Sequence, residues 1–305
     1  MLNYGYQNEY DFVELFNNKY LYELDENSQK FLKELFGDVI GNDEKIISWK
    51  NKMAQKTDIF VRYKNYIKNL SLKCGNSNSM HHEYLQEFRR YLGNIGIPYK
   101  VIDNYVSYHY GYARDENGRT DLTHVLSAEE YKTLYQSEID VFNSYVNKTK
   151  IIVDMIDRFI IRGKNSDYDV DALVCGTVDD YVWILKYELY DLVLSKRCLD
   201  FTSPHIACMT LGPKKRCLDG NTRDIKDRYI LCVRWNFLKE DIIRYKLGTR
   251  LWDVGGWFPV CSIKKRRFTR RLFFYGANKG NRTPTLTLAR SYSTIKLCSQ
   301  NTWRA

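Results

Sequence analysis

Apolar residues at three- and four-residue spacing predict two helices near the start of the chain. Within residues 8–36 these positions are Tyr10, Val13, Leu15 and Phe16, followed by Phe31, Leu32, Leu35 and Phe36. We expect Asp25 or Asn27 to cap the second helix, and Gly37 follows its end. Residues 44–50 are typical of a short strand or the end of a helix.

A β-hairpin is predicted next, in a stretch rich in β-branched and aromatic residues. Residues 58–63 form the first strand, a turn follows at residues 64–65, and residues 68–74 return. Because side chains alternate along a strand, Ser71 and Lys73 share one face while their neighbours point to the other.

A helix is expected after this hairpin and a polar loop. Ser79 has the residue type of an N-cap, and the helix would contain Glu83 and Glu87 and end near Gly93.

The remaining pattern alternates between helices and strands. Residues 98–125 are expected to be rich in loops, and Ser127 opens a capping box for a helix that runs to about Asn147. The later elements are a helix at 151–161, two strands within 170–185, a helix at 188–194, strands at 206–211 and 229–235, and a helix at 238–245.

These elements predict an α+β fold with an α/β-like core, in which helices flank a mixed β-sheet. Residues 1–245 would form this domain, with a helical insertion at about 126–162.

The charge distribution separates the last sixty residues from this domain. Residues 246–305 contain 13 Lys and Arg and one acid, Asp253, whereas the whole chain has a net charge of +10. Residues 1–245 therefore carry a net charge of −2. Helical and strand periodicity is lost after Gly248. The tail is expected to be poorly ordered, either as a frameshift or read-through product or as a basic arm that contacts phosphates.

Cysteine spacing, the N-terminal sequence and hydrophobicity indicate where the protein is located. The 8 cysteines show no pairing or Cys/His spacing typical of zinc, and the N-terminus lacks a secretory pattern. No apolar run is long enough to cross a bilayer, so no membrane partner is expected. We therefore expect reduced thiols and a cytoplasmic location.

The predicted hairpin combines groups that phosphodiester hydrolysis requires. Hard divalent cations held by carboxylates can stabilise charge on the phosphate, and a nearby lysine can orient or deprotonate the attacking water. Asp58 and Lys73 would supply a carboxylate and an ammonium group on adjacent strands.

The segment K-T-D58…S71-L-K73 resembles the active-site signature of the PD-(D/E)XK nuclease superfamily, which includes many type II restriction endonucleases. The following LKCGNSNSMHHE also resembles a Lys-Gly-Asn-Ser-His pattern of bacterial restriction-like proteins. The motif covers some thirty residues, and a wider similarity extends to about Lys246. The resemblance implies a restriction-endonuclease-like fold, with Asp58 as a metal ligand, Lys73 as the catalytic lysine and Mg²⁺ as the cofactor.

Two positions depart from that signature. Thr57 replaces its proline, which is not a ligand, and Ser71 replaces its second acid. Some restriction enzymes with serine at this position take a carboxylate from the downstream helix. Glu83 and Glu87 are the candidates for this metal ligand, and we prefer Glu83 because it would lie one turn into the helix.

Other polar residues are candidates for DNA contacts. Lys214, Lys215 and Arg216 form a basic turn between strands, which is typical of a solvated turn or of a loop that contacts phosphates or bases. His81 is a candidate phosphate contact, although adjacent histidines at a helix start are more often surface or capping groups.

The sequence is compatible with three alternative functions. The first is a Mg²⁺-dependent endonuclease of restriction type that acts on double-stranded DNA, for which the family resemblance implies a homodimer. The second is a non-catalytic DNA-binding or regulatory protein with the same fold. The third is a structural protein of a mobile element that uses its tyrosine-rich helices as a partner surface.

Overall fold

The computed structural model describes residues 4–53, 55–74, 79–163, 168–196, 201–216 and 225–248, without the side chains of residues 122–124. The predicted basic tail lies outside the described residues from position 249 onward.

Helices and strands alternate along the described chain. The helices are α1 (Tyr4–Phe16), α2 (Glu26–Phe36), α3 (Leu85–Asn94), α4 (Tyr99–Tyr110), α5 (Ala128–Val146), α6 (Thr149–Ile156), α7 (Lys186–Ser195), α8 (Ile225–Arg228) and α9 (Leu238–Lys246). The strands are β1 (Ile47–Lys50), β2 (Ile59–Tyr63), β3 (Tyr66–Lys73), β4 (Ser79–Tyr84), β5 (Tyr112–Arg114), β6 (Thr120–Val125), β7 (Ala172–Thr177), β8 (Asp180–Leu185), β9 (His205–Ile206), β10 (Met209–Pro213) and β11 (Ile230–Arg234).

A five-stranded mixed sheet in the order β1-β2-β3-β7-β8 forms the centre of the fold. Only the β3–β7 pair in this sheet is parallel. A four-stranded antiparallel sheet, β4-β11-β10-β9, and the β5–β6 hairpin complete the described strands. The predicted α+β class, a mixed sheet flanked by helices, is confirmed.

The two faces of the five-stranded sheet contact different layers. On one face Leu70 and Leu72 belong to a buried cluster with residues of α1 and α2, such as Phe12 and Phe31. On the other face Leu173 belongs to a second cluster, which includes residues of α3 to α7 and of the four-stranded sheet. The alternation predicted for the hairpin therefore places its polar residues on the second face.

Local sequence signals explain several helix ends. Asp25 caps α2 by accepting a hydrogen bond from the Ser28 backbone N–H, and Gly37 follows the end of this helix with a φ of 64°. Ser127 and Glu130 form the predicted capping box of α5. Helices α5 and α6, extended by a π-helical turn at Asp157–Ile161, occupy the predicted insertion.

Two predictions of secondary structure were wrong. Residues 79–84 form β4 rather than the start of a helix, because their backbone pairs with β11, which lies about 150 residues later in the chain. Residues 98–125 were expected to be loop-rich but contain α4 and the β5–β6 hairpin. Burial of aromatic residues such as Tyr105 stabilises α4 against the rest of the core.

A buried ion pair joins α9 to the end of α7. Asp241 accepts from Lys196 Nζ at 2.6 Å and from Trp235 Nε1 at 2.7 Å, and all three residues are buried. Removing one partner of such a pair leaves an uncompensated charge inside the protein.

We predict that Asp241→Ala lowers the free energy of unfolding by about 3–5 kcal/mol, measured by urea denaturation, because Lys196 would remain buried without a counter-charge. Lys239→Ala in the same helix is the control. It breaks a partly exposed pair with Asp180 and should cost at most about 1 kcal/mol. Combining Lys196→Met with Asp241→Asn should recover most of the loss. Equal effects of Asp241→Ala and Lys239→Ala would contradict the prediction.

Candidate functional site

The β2–β3 hairpin brings Asp58, Ser71 and Lys73 to one face of the five-stranded sheet. Ile59 pairs with Leu70, and the Asp58 backbone N–H donates to Leu70 O at 2.8 Å. Asp58 therefore lies opposite Ser71, and Lys73 is the next residue of β3 on the same face. This grouping agrees with the face predicted from the sequence.

The Asp58 carboxylate is fixed by the strand beside it. Its Oδ2 accepts from the Leu72 backbone N–H at 2.6 Å and from Ser71 Oγ at 3.2 Å. Asp58 lies one residue before the start of β2. The bond from the Leu72 N–H to its side chain therefore extends the hairpin by one hydrogen bond. Within the described residues no hydrogen bond reaches Asp58 Oδ1, which leaves that oxygen as the open acceptor.

Lys73 is half-buried and lies beside Cys175 of β7 in the parallel pairing. It has no ion-pair partner among the residues that the structure describes. An ammonium group without an ion-pair partner in the described chain suits binding of an anionic group.

A second lysine, Lys56, lies near Lys73 and Asp58, and the sequence analysis did not identify it. Lys56 Nζ donates to Met80 O at 2.8 Å, and burial together with the charge of Lys73 lowers the Lys56 pKa to about 7, against the opposing effect of Asp58 and Glu83. Its stem passes close to Gly163, where a Cβ would lie 3.0 Å from Lys56 Cγ. The available signal was its position two residues before Asp58.

Glu83 is placed differently from the prediction. It lies on β4 rather than on a helix, and its side chain has no exposed surface. Arg158 Nε donates to Glu83 Oε1 at 3.0 Å, and Arg158 Nη2 donates to Oε2 at 2.5 Å. Burial acts to raise the pKa of Glu83, but contacts with His81 and Arg158 outweigh it and lower the pKa. The carboxylate is thus ionised and held by an arginine.

Glu87 does not share a helix face with Glu83, because Glu87 lies in the first turn of α3 while Glu83 lies on the preceding strand. Across the described residues no group of three or more His, Cys, Asp or Glu side chains could hold a metal ion. The predicted pairing of Asp58 with one of Glu83 or Glu87 as metal ligands needs only two carboxylates, and it stays a prediction. Asp58 and the Ser71 hydroxyl form an oxygen pair that is in direct contact, at 3.2 Å.

His81 is buried, and its ring lies 5.2 Å from that of Phe159. Its Nε2 is 3.3 Å from Glu83 Oε1, but the geometry of this contact is not that of a hydrogen bond. Burial lowers the pKa of His81 to about 4, which keeps the ring neutral at pH 7. This position contradicts its predicted role as a DNA contact.

The three residues of the predicted basic turn, Lys214 to Arg216, have different environments. Lys214 and Lys215 are exposed, and Lys214 Nζ lies 3.1 Å from Asp227 Oδ1. Arg216 donates to Tyr108 O at 2.7 Å, and its guanidinium lies 4.9 Å from the centre of the Tyr108 ring. Arg216 therefore stabilises the packing of α4, whereas the two lysines remain candidate phosphate contacts.

The low pKa of His81 gives a testable pH dependence of stability. Between about pH 6.5, the ordinary value, and about pH 4, the unfolded chain binds a proton that the folded protein does not. The free energy of unfolding should therefore fall as pH decreases through this window, by up to about 1.4 kcal/mol per pH unit from this group.

The measurement is urea unfolding at a series of pH values for the parent protein and His81→Gln. The variant should show a shallower fall between about pH 6.5 and pH 4, because its side chain does not titrate. His109, whose pKa burial lowers to about 3, gives a matched variant, His109→Gln, with a similar change of slope. Parallel curves for the parent and His81→Gln would contradict the prediction.

None of the described helices is apolar over a length sufficient to span a bilayer. No protein-family model matches the chain, and no curated protein matches it. A function can therefore be proposed only from the geometry of Asp58, Ser71 and Lys73.

Proposed function

We propose that the chain is a metal-dependent endonuclease that hydrolyses phosphodiester bonds of double-stranded DNA, as a type II restriction enzyme. The observation that carries the proposal is the placement of Asp58, Ser71 and Lys73 together on one sheet face, with the carboxylate fixed by the Leu72 N–H. Fixed groups at the end of a hairpin suit catalysis because they need no reorganisation when substrate binds.

Mg²⁺ is commonly held by one or two carboxylates, with substrate phosphate oxygens and waters completing its shell. Asp58 Oδ1 accepts no hydrogen bond within the described chain, and Ser71 Oγ contacts the same carboxylate. Asp58 therefore fits a Mg²⁺ site with a single carboxylate ligand. When bound, the ion would supply charge stabilisation at the scissile phosphate.

Lys73 is the residue proposed to act on the attacking water. Its ammonium group would hold the water in line with the scissile bond and offset charge on the phosphate. Lys56, fixed by its hydrogen bond to Met80 O, lies on the same side of the site, and its pKa of about 7 leaves it partly charged at neutral pH. The exposed Lys214 and Lys215 are proposed to contact the DNA backbone away from the reacting atoms.

A homodimer in the cytoplasm belongs to the same proposal, because two sites related by two-fold symmetry can cut both strands of a palindrome.

One observation favours the second function, a non-catalytic DNA-binding protein. Arg158 holds both oxygens of Glu83, and Ser71 stands where a second acid would complete the metal site. A site with one carboxylate ligand binds Mg²⁺ weakly, so phosphate binding without cleavage would follow.

The test is nicking and linearisation of unmethylated plasmid DNA in MgCl₂. We predict that Lys73→Ala lowers the cleavage rate by about 10²–10³-fold, the usual cost of removing one group that stabilises the transition state. Lys68→Ala is the matched control, since Lys68 lies on the same strand but faces the other side and pairs with Asp171. It should cut like the parent protein.

Equal cleavage by Lys73→Ala and the parent protein would overturn the site assignment. Salt-sensitive DNA binding that EDTA does not change, without cleavage by the parent protein, would support the non-catalytic function instead.

A further inference from the structure

Two aromatic rings stack across the edge of the five-stranded sheet. Trp49 of β1 pairs with Phe60 of β2 in the antiparallel register, and their ring centres lie 5.4 Å apart at an interplanar angle of 23°. Tyr168 meets Phe60 edge-on at 6.0 Å. This arrangement, named here the aromatic platform, consists of Trp49 and Phe60 with Tyr168 at its side.

The aromatic platform lies on the same sheet face as the candidate site. Along β2 the residues Ile59, Val61 and Tyr63 are buried on the opposite face, so Phe60 shares its face with Asp58. Same-face neighbours on a strand are about 7 Å apart. That separation is comparable with the distance between successive phosphates of an extended nucleotide strand.

Two rings of the aromatic platform remain exposed, and Phe60 is half-buried. Trp49 retains 37% of its surface and Tyr168 51%, whereas Trp183 and Trp235, in the strands or next to them, retain 6% and 1%. Rings of this size are usually buried, and the opposite face of the same sheet buries its aromatic residues against α1 and α2. In the described structure this end of the sheet face is therefore left without a covering layer.

Two exposed cations flank the aromatic platform. Arg62 is exposed on the same face of β2, and Lys52 is exposed just after β1. In the part of the chain that the structure describes, neither has an ion-pair partner, and Lys73 lies beyond Asp58 on the same face. The flanking charge thus favours a polyanion over an apolar protein partner.

Stacked rings beside unpaired cations are the features that proteins use to bind unpaired nucleotides, since bases stack on the rings and phosphates contact the cations. A fully paired duplex keeps its bases inside the helix and offers no base face to such rings. The chemistry therefore distinguishes between paired and unpaired nucleic acid.

We propose that the aromatic platform stacks an unpaired base of the DNA strand whose backbone lies at Asp58 and Lys73. The position of that strand rests on the proposed function. Within the double-stranded DNA of the proposed function, the inference favours a substrate with a locally unpaired segment beside the scissile phosphate, such as a gap, a bubble or a strand end.

Fluorescence anisotropy in EDTA, where cleavage is blocked, tests this with labelled DNA of one sequence in three forms. The forms are a single strand, a fully paired duplex and a duplex with a central unpaired stretch. We predict that Trp49→Ala and Phe60→Leu each weaken binding of the first and third forms by about tenfold, and change binding of the paired duplex by less than about twofold.

Two further variants control for folding and for exposed rings in general. Trp49→Tyr keeps an aromatic face and should retain most of the affinity. Tyr99→Ala removes a ring with 74% exposure at the start of α4 and should bind all three forms like the parent protein. Far-ultraviolet circular dichroism confirms that each variant is folded.

Unchanged affinity of folded Trp49→Ala and Phe60→Leu for the unpaired forms would overturn the proposal. An equal loss for the paired duplex would overturn it as well, because the rings would then contact a feature that both forms share. Cleavage separates the two proposals: binding that depends on Trp49, without any Mg²⁺-dependent cutting, would refute the endonuclease and leave the aromatic platform standing.

Discussion

The parallel pairing of β3 with β7 is the constraint on which the rest of the fold depends. Leu70–Lys73 pair with Ala172–Cys175, so segments about a hundred residues apart form the middle of one sheet. A parallel pair needs a crossover connection, and here this connection contains β4, the β5–β6 hairpin and helices α3 to α6. The same four residues of β3 carry Ser71 and Lys73, so the crossover places β7 directly beside the candidate site.

Strand β4 links that site to the second sheet. It is the next described strand after β3. Its carbonyl at Met80 fixes Lys56, and its Glu83 accepts hydrogen bonds from Arg158 of the π-helical turn. The charges on this strand are therefore satisfied inside the protein. Strand β4 supports the position of Lys56 through Met80 O, and its Glu83 is held by Arg158.

The sequence was informative where structure is determined locally. The β2–β3 hairpin, the cap at Asp25 and the capping box at Ser127 each depend on neighbouring residues, and the structure has them as predicted. The side-chain alternation of β3 was enough to bring Ser71 and Lys73 to one face.

Local sequence patterns did not predict the elements that depend on contacts between distant parts of the chain. Residues 79–84 have no strong strand preference and become β4 only because β11 pairs with them. The assignment of Glu83 to a helix failed for that reason, and its placement beside Glu87 failed with it. Lys56 could not be recognised either, because its burial depends on Gly163, more than a hundred residues away.

The contact between Lys196 and Asp241 has a consequence for the order of events during synthesis. Asp241 follows its partner by 45 residues and lies in the last described helix. A nascent chain that has emerged only as far as β10 exposes the lysine to water, since burying it alone would be too costly. Burial of Lys196 must therefore wait for α9, so the end of α7 stays in contact with water until that helix has been synthesised.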